Sequence, residues 1–321
     1  MSVADRAPAS RTRTWRPPWG ELTVQQTRRL WGWAFLSPWI VGFLAFYFFP
    51  MIASLGFTFT DLQLTQPDKV SFVGLDNYRT LFKDAYVGKS LRVTFSYMLL
   101  ALPLSLIIPL ALATLLNSRR LWGRRLFRTL FYMPYMVPVV SLVYIYNGYL
   151  NAQSGWLNRF LGEVFGIKGP VWLYSSTWIY PALLMFGVWG CGNAMLTLLA
   201  SMQTVPTELY EAAKVDGANA LTVFRRITLP LITPMIFYNL ILSLIGLFRY
   251  FDIPYIVSRG TGGPNDITLF YNLYFYRVAF QFDRMGYAAT LAWLLFVIAL
   301  IVTGFFFATA RKWVYYAGWS D

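Results

Sequence analysis

The sequence predicts an all-α integral membrane protein, and three observations carry that prediction. The 321 residues are 57% hydrophobic and 13% charged, where an ordinary soluble domain has about 25% charged residues. Six apolar segments reach the roughly 20 residues that a helix needs to cross a hydrocarbon core. Basic residues gather in short runs between those segments. The formal net charge of +13 would also suit a nucleic-acid binder, but such a protein needs a contiguous basic face, and these runs form none. A nucleic-acid partner is therefore not expected.

Residues 1–30 carry Arg6, Arg11, Arg13, Arg16, Arg28 and Arg29. No small-residue cleavage site follows the first apolar run, which predicts a cytoplasmic tail ahead of a retained span and not a signal peptide. The expected spans are residues 31–57, 91–116, 130–150, 178–202, 231–248 and 287–310. After the second of them come Arg119, Arg120, Arg124, Arg125 and Arg128. Because basic loops stay in the cytoplasm, that run orients the whole chain. Both termini and the polar break at 204–230 then face the cytoplasm. Lys69, Arg79, Lys83 and Lys89 fall on the other side but alternate with Asp61, Asp68, Asp76 and Asp84, which dilutes the bias without reversing it. The expected organisation is a tail (1–30), a six-span membrane domain (31–310) and a second tail (311–321). Trp31, Trp33, Trp172, Tyr174, Trp178, Trp313, Tyr315 and Tyr316 sit near span ends, as interfacial aromatic belts do.

Chemistry is scarce along the chain. Cys191 is the one cysteine and there is no histidine, which removes a disulfide framework, a thiolate metal cluster and the commonest general base. As drawn, the spans hold no charged residue except Arg92 at the edge of the second. A charge at mid-bilayer costs about 2.5–3.5 kcal/mol on insertion scales and normally marks an ion path. An ion-coupled secondary carrier is thus disfavoured. An intramembrane glycosyltransferase would need a catalytic acid with a partner, and Asp252 and Asp266 have none nearby in sequence.

Neutral polar groups are present instead. Asn239, Ser243, Gly246 and Tyr250 recur at i, i+4, i+7 and i+11, one stripe of a helix. Amide, hydroxyl and aromatic groups around a small residue suit a hydroxylated solute, with the ring stacking on a sugar face. Together with Trp189 and Asn193 of the fourth segment they form the candidate substrate-binding set. The competing account is that such residues bond helix to helix, as Ser and Asn do in membranes.

The polar break has its own logic. Pro206 and Thr207 open a helix with Glu208 and Glu211 in its first turns, where carboxylates meet the positive end of the helix dipole. Val205, Leu209, Ala212 and Ala213 are expected on one shallow apolar face, fit for a partner's groove. Gly217 supplies the left-handed residue that stops the helix. Asn219 caps a second helix through Leu221, Phe224 and Ile227, which Pro230 ends or kinks.

Glu211-Ala212-Ala213, then Gly217, then Ile227-x-Leu229-Pro230, placed between late spans, resembles the EAA loop of permease subunits in binding-protein-dependent ABC importers. Phe72-Val73-Gly74-Leu75-Asp76-Asn77-Tyr78 in the first external loop is similar to a phrase of the same permeases. So are Phe251-Asp252, Tyr255, Gly262-Gly263-Pro264, Tyr274 and Ala279-Phe280 ahead of the last span. The segment between Tyr255 and Gly262 is slightly longer than in that pattern.

The resemblance implies a type I ABC importer permease fold and a carbohydrate-uptake transporter of the maltose or glycerol-phosphate kind. Its cargo would be a sugar, with a polyol or glycerol phosphate as the alternative. It implies a bacterial or archaeal inner membrane and four kinds of partner: a second EAA-type permease, most simply in a heterodimer, two ABC ATPase subunits, an extracytoplasmic solute-binding protein and the sugar. Glu211, Ala212, Ala213, Gly217, Ile227, Leu229 and Pro230 would couple the chain to the ATPase. The chain has no Gly-x-x-x-x-Gly-Lys-Ser/Thr phosphate loop, so no cofactor is expected in it. ATP and Mg would sit on the partner, and the chain itself would be a transport subunit and no enzyme.

Overall fold

The structure, a computed structural model, describes residues 23–118 and 121–315. Arg6, Arg11, Arg13, Arg16, Arg119, Arg120 and Tyr316 lie outside the described residues. The chain is helical, and an isolated antiparallel bridge between Thr60 and Phe72 is the one β feature among the described residues.

The first helix, α1 (Val24–Phe57), begins at a capping box in which Thr23 and Gln26 exchange side-chain and backbone hydrogen bonds. Up to Ser54 it forms a compact unit of its own, and none of its residues is buried. Within it the turn Leu44–Phe48 widens to π geometry, with the Phe49 amide reaching back to the Leu44 carbonyl. Pro50 follows at once. A proline removes one amide donor and collides with the carbonyl four residues back, and one extra residue in the turn relieves both.

From Leu55 onward the chain forms the second unit. A short helix α2 (Asp76–Lys83) leads into α3 (Ala85–Asn117), the 33-residue helix against which much of the unit packs. Then come α4 (Arg124–Tyr132), α5 (Val139–Tyr149), α6 (Trp156–Phe165), α7 (Ile179–Trp189) and α8 (Gly192–Gln203). The polar break folds as α9 (Thr207–Val215) and α10 (Ala220–Val223). After it run α11 (Thr233–Phe248), α12 (Asp252–Ser258), α13 (Tyr271–Tyr276) and α14 (Met285–Ala310).

Among the described residues, four helical stretches are long and apolar enough to cross a membrane: Val24–Phe57, Ala85–Asn117, Thr233–Ser258 and Met285–Ala310. The number rises to six if each of two bent pairs counts as one span. The bends fall within the expected third and fourth spans. Between α4 and α5 the axis turns by 103°, because Pro134 and Pro138 interrupt the helical amides and leave a 3-10 turn at Met133–Met136. Between α7 and α8 it turns by 48° at Gly190 and Cys191. Gly192 lets this bend nest against the end of α4. A Cβ there would lie 2.5 Å from the Phe131 carbonyl oxygen and 2.8 Å from Tyr132 Cα.

The helices run past the expected span bounds and bring in charges that the drawn segments exclude. The fifth candidate span continues through a break at residues 249–251 to Ser258 and takes in Arg249 and Asp252. The second starts at Ala85 and takes in Lys89 as well as Arg92. The helix that carries Pro230 ends one residue past it, at Leu231. The chain reaches this proline through a second π turn, Phe224–Thr228, with the Leu229 amide reaching the Phe224 carbonyl, as it does before Pro50.

Four buried clusters draw on α3, and two of them bear on the site. One joins Tyr97, Val143, Leu183, Phe186 and Phe270; the other joins Ala113, Leu116, Leu198, Met202 and Ile232. In a bilayer such burial replaces lipid contacts and not water, so its gain is close packing and interhelical bonding more than the hydrophobic effect.

At the start of α3, carboxylates stitch distant segments together. Asp84 caps α3 through the Tyr86 amide (2.9 Å) and accepts from the hydroxyls of Tyr274 and Tyr287, the latter at 2.7 Å. Asp283 accepts from the Leu64 amide (2.7 Å) and from Thr65, and Lys89 pairs with Asp266 at 2.6 Å. Asn77 donates to the carbonyls of Thr58 and Thr60. Gly286 has no room for a side chain, since a Cβ would overlap the Thr60 carbonyl.

Candidate functional site

The polar break folds into the helix, bend and helix that its residues predict. Helix α9 carries Glu208 in its first turn and Lys214 in its last, both favourable to the helix dipole. Gly217 takes φ +73°, and its amide and that of Ala218 return to the carbonyls of Lys214 and Ala213. This is a left-handed helix stop that a Cβ would strain. Asn219 Oδ1 accepts the Thr222 amide at 2.9 Å and opens α10.

Burial divides this loop into two faces, and here one expectation is corrected. Val205 precedes α9 and is buried in the cluster with Leu198 and Met202, so it does not share a face with Leu209 and Ala212. Tyr210 turns inward instead, its hydroxyl 3.1 Å from that of buried Thr228. Phe224 and Ile227 pack on the same cluster. The outward row is Leu209, Ala212 and Val215, continued by Leu221, with Glu211 exposed and Ala213 half-buried beside it. Leu229 and Pro230 are half-buried where the loop joins α11. The loop is thus anchored on one side and open on the other, with a shallow apolar row 41% exposed at Leu209 and 88% at Val215.

The polar stripe of α11 does not act as one surface. Asn239 is buried and exchanges hydrogen bonds with Thr197 of α8 at 3.1–3.2 Å, while also donating to the Met235 carbonyl. It ties helix to helix. Ser243 is half-buried and Gly246 is exposed. Tyr250 lies beyond the helix end, stacked on Tyr97 with ring centroids 5.1 Å apart, and its hydroxyl is buried with no partner in hydrogen-bonding geometry. It lines a cavity of about 110 Å³ together with Tyr97, Ser105, Leu184, Val188 and Cys191.

A larger cavity of about 710 Å³ lies on the other side of the α7–α8 bend. Trp189, Tyr146, Met185, Phe131 and Leu112 line it, and Leu184, Val188 and Cys191 line both cavities. Trp189 stands 5.4 Å from Tyr146 between ring centroids. Asn193 is half-buried one turn ahead of Thr197. Trp189 and Tyr250 therefore come into neighbouring compartments, whereas Asn239 is spent on packing. Tyr97 and Tyr146 were not legible as members of this region. They lie on α3 and α5, and nothing in their local pattern separates them from other span aromatics.

Comparison with known proteins places this architecture. Residues 105–314 match the family described as binding-protein-dependent transport system inner membrane component. The chain is 40% identical over 286 residues to the probable ABC transporter permease protein YesP of Bacillus subtilis strain 168, covering 89% of this chain and 92% of that one. It is 30% identical over 273 residues to the arabinooligosaccharides transport system permease protein AraP of the same organism, covering 84% of this chain and 85% of the relative. Its fold is similar to a chain in the crystal structure of a bacterial ABC transporter involved in the import of the acidic polysaccharide alginate. The TM-score is 0.75 at 24% identity, over 89% of this chain and 96% of that chain. With the family matched across about two thirds of its length and a relative this similar nearly end to end, the chain belongs to the binding-protein-dependent transport system inner membrane components.

Proposed function

We propose that this chain is the membrane permease subunit of an ATP-driven ABC importer, carrying a di- or oligosaccharide across the plasma membrane by alternating access. The observation that carries the mechanism is the loop from Val205 to Ile232: a helical bend packed on one side that leaves an apolar row open on the other. Driving a two-state protein from 1:99 to 99:1 takes about 5.5 kcal/mol of differential binding. The sequence carries no phosphate loop to obtain this from ATP, so the bias enters through a partner. In this reading Ala212 and Ala213 form the docking floor, Glu211 anchors its edge, and Gly217 sets the bend. Ile227, Leu229 and Pro230 join the loop to α11. A movement of the ATPase against α9 is then passed through Tyr210 and Thr228 to the α8–α11 pair that Asn239 and Thr197 hold together.

Six spans follow if each bent pair crosses the membrane once, and both termini and the α9 loop then face the cytoplasm with the arginine run near α4. ATP and Mg belong to two ATPase subunits, a second permease completes the route, and an extracytoplasmic binding protein delivers the solute. The name of AraP supports a sugar cargo. Trp189, Asn193, Ser243, Gly246 and Tyr250 remain the substrate-facing candidates, and Asn239 supports them from behind.

Affinity purification of the tagged chain from native membranes tests the assembly: an ATPase, a second permease and a bound sugar are expected to co-purify, and recovery without any ATPase would overturn the proposal. Ala213→Asp is expected to leave the complex inserted while abolishing solute-stimulated ATP hydrolysis. Normal stimulation in that variant would remove α9 from the coupling role.

A further inference from the structure

The fifth candidate span is broken, and the break carries an unpaired cation. Helix α11 ends at Phe248 and α12 resumes at Asp252, inside the continuous candidate span Thr233–Ser258. Irregular backbone at membrane depth survives where protein or water satisfies its polar groups, and not against lipid. Part of that satisfaction is visible: the Phe248 carbonyl accepts the Asn272 amide at 2.8 Å.

Arg249 sits at this break and is exposed. Among the described residues the ion pairs are Arg79–Asp76 and Lys89–Asp266, and Arg249 belongs to neither. Asp252, three residues on, is also exposed and makes no pair with it. Arg249 lies inside the bounds of that candidate span, one residue beyond the end of α11. A charge within a membrane-spanning segment is satisfied by water or an opposite charge and not by lipid. Tyr238, Leu242 and Ile245 are exposed with it at helical spacing, which turns this face of α11 away from the rest of the chain. Immediately beside Arg249, Tyr250 is stacked on Tyr97 and lines the small cavity, its hydroxyl buried.

We infer that Arg249 is a specificity-determining residue of the translocation route, reading an anionic group on the transported sugar. This rests on the proposal that the chain is a sugar permease. A guanidinium presents paired N–H donors that fit a carboxylate or a phosphate bidentately, and an ammonium keeps the charge without the fork. The two anion sources are a uronate carboxylate and a sugar or polyol phosphate.

The test uses whole cells expressing the complete importer, with three labelled probes: digalacturonate, its neutral counterpart digalactose, and sn-glycerol 3-phosphate. Wild type, Arg249→Gln and Arg249→Lys are compared at equal levels of assembled complex. The expected result is uptake of one of the anionic probes and not of digalactose, a tenfold or larger loss in Arg249→Gln, and partial retention in Arg249→Lys. Uptake of digalacturonate assigns the carboxylate and uptake of glycerol 3-phosphate the phosphate. Digalactose entering wild type and Arg249→Gln equally overturns the inference and leaves the sugar-importer proposal standing. An anionic probe whose uptake is unchanged in Arg249→Gln overturns the role of Arg249 alone. Uptake of none of the three by assembled wild type overturns the inference together with the disaccharide cargo.

Discussion

The two ends of α3 are built on opposite principles. At its first turn, Asp84, Asp283, Asp266 and Asn77 bind segments more than a hundred residues apart, or knit a loop onto itself, through charged and amide hydrogen bonds. At its last turns, about 50 Å away for a 33-residue helix, the loop from Val205 to Ile232 rests on apolar packing and one hydroxyl pair, Tyr210 with Thr228. Directional bonds hold a geometry fixed, while a packed apolar seat tolerates tilting as a unit. The first end is suited to staying put, and the second to being moved.

That contrast predicts where substitutions hurt function and where they hurt stability. The largest effect on transport is expected from Gly217→Pro. Proline cannot adopt φ +73°, so the bend is lost, and solute uptake should fall by an order of magnitude or more while the chain still inserts. Normal uptake would erase the distinction between the two ends. Asp84→Ala should act the other way. It strands two tyrosine hydroxyls and removes the α3 cap, costing about 2–3 kcal/mol in detergent unfolding, with a smaller loss of uptake than Gly217→Pro. A larger loss of uptake than of stability would mean that this end moves too.

Tyr210→Phe removes one half-buried hydroxyl pair and is expected to cost about 0.5–1.5 kcal/mol, read as weaker coupling of ATP hydrolysis to uptake at unchanged assembly. The smallest effect is a pH dependence at the fixed end. Hydrogen bonds from Thr65 and the Leu64 and Thr65 amides hold the Asp283 carboxyl below its ordinary 3.8, and those from Ser71 do the same for Asp61. Lowered values mean that these ties are complete above the ordinary carboxylate value and are lost as pH falls through the lowered one. Hydrogen-exchange protection of the Leu64, Thr65 and Ser71 amides should therefore drop on strong acidification, while protection in α8 stays constant. A parallel drop in α8 would show that the whole unit opens and not the loop ties alone.

The loop from Val205 to Ile232 was nearly complete in the sequence because its signals are local. A proline entry, a glycine stop and an asparagine cap act within a few residues of themselves, and each stands where it was expected. The error there was Val205, whose spacing fits the outward row although the chain before the cap turns it into the core. The bent third and fourth spans escaped because apolar length says nothing of axis direction. Pro134, Pro138 and Gly190 marked the bends, yet prolines are equally at home in uninterrupted helices such as α3, which holds Pro103 and Pro109. The ties of Asp84 and Asp283 span about two hundred residues, and no local pattern announces such partners. Asn239 was legible as polar in an apolar helix, but only its distance to Thr197 distinguishes a helix tie from a ligand contact.

Cys191 stands on the wall that the two cavities share, at the bend between α7 and α8, and no other cysteine exists in the sequence. A spin label or fluorophore attached to this native thiol would carry no background from elsewhere in the chain. One spectrum would then follow both compartments at once as nucleotide and solute are added to the complete importer.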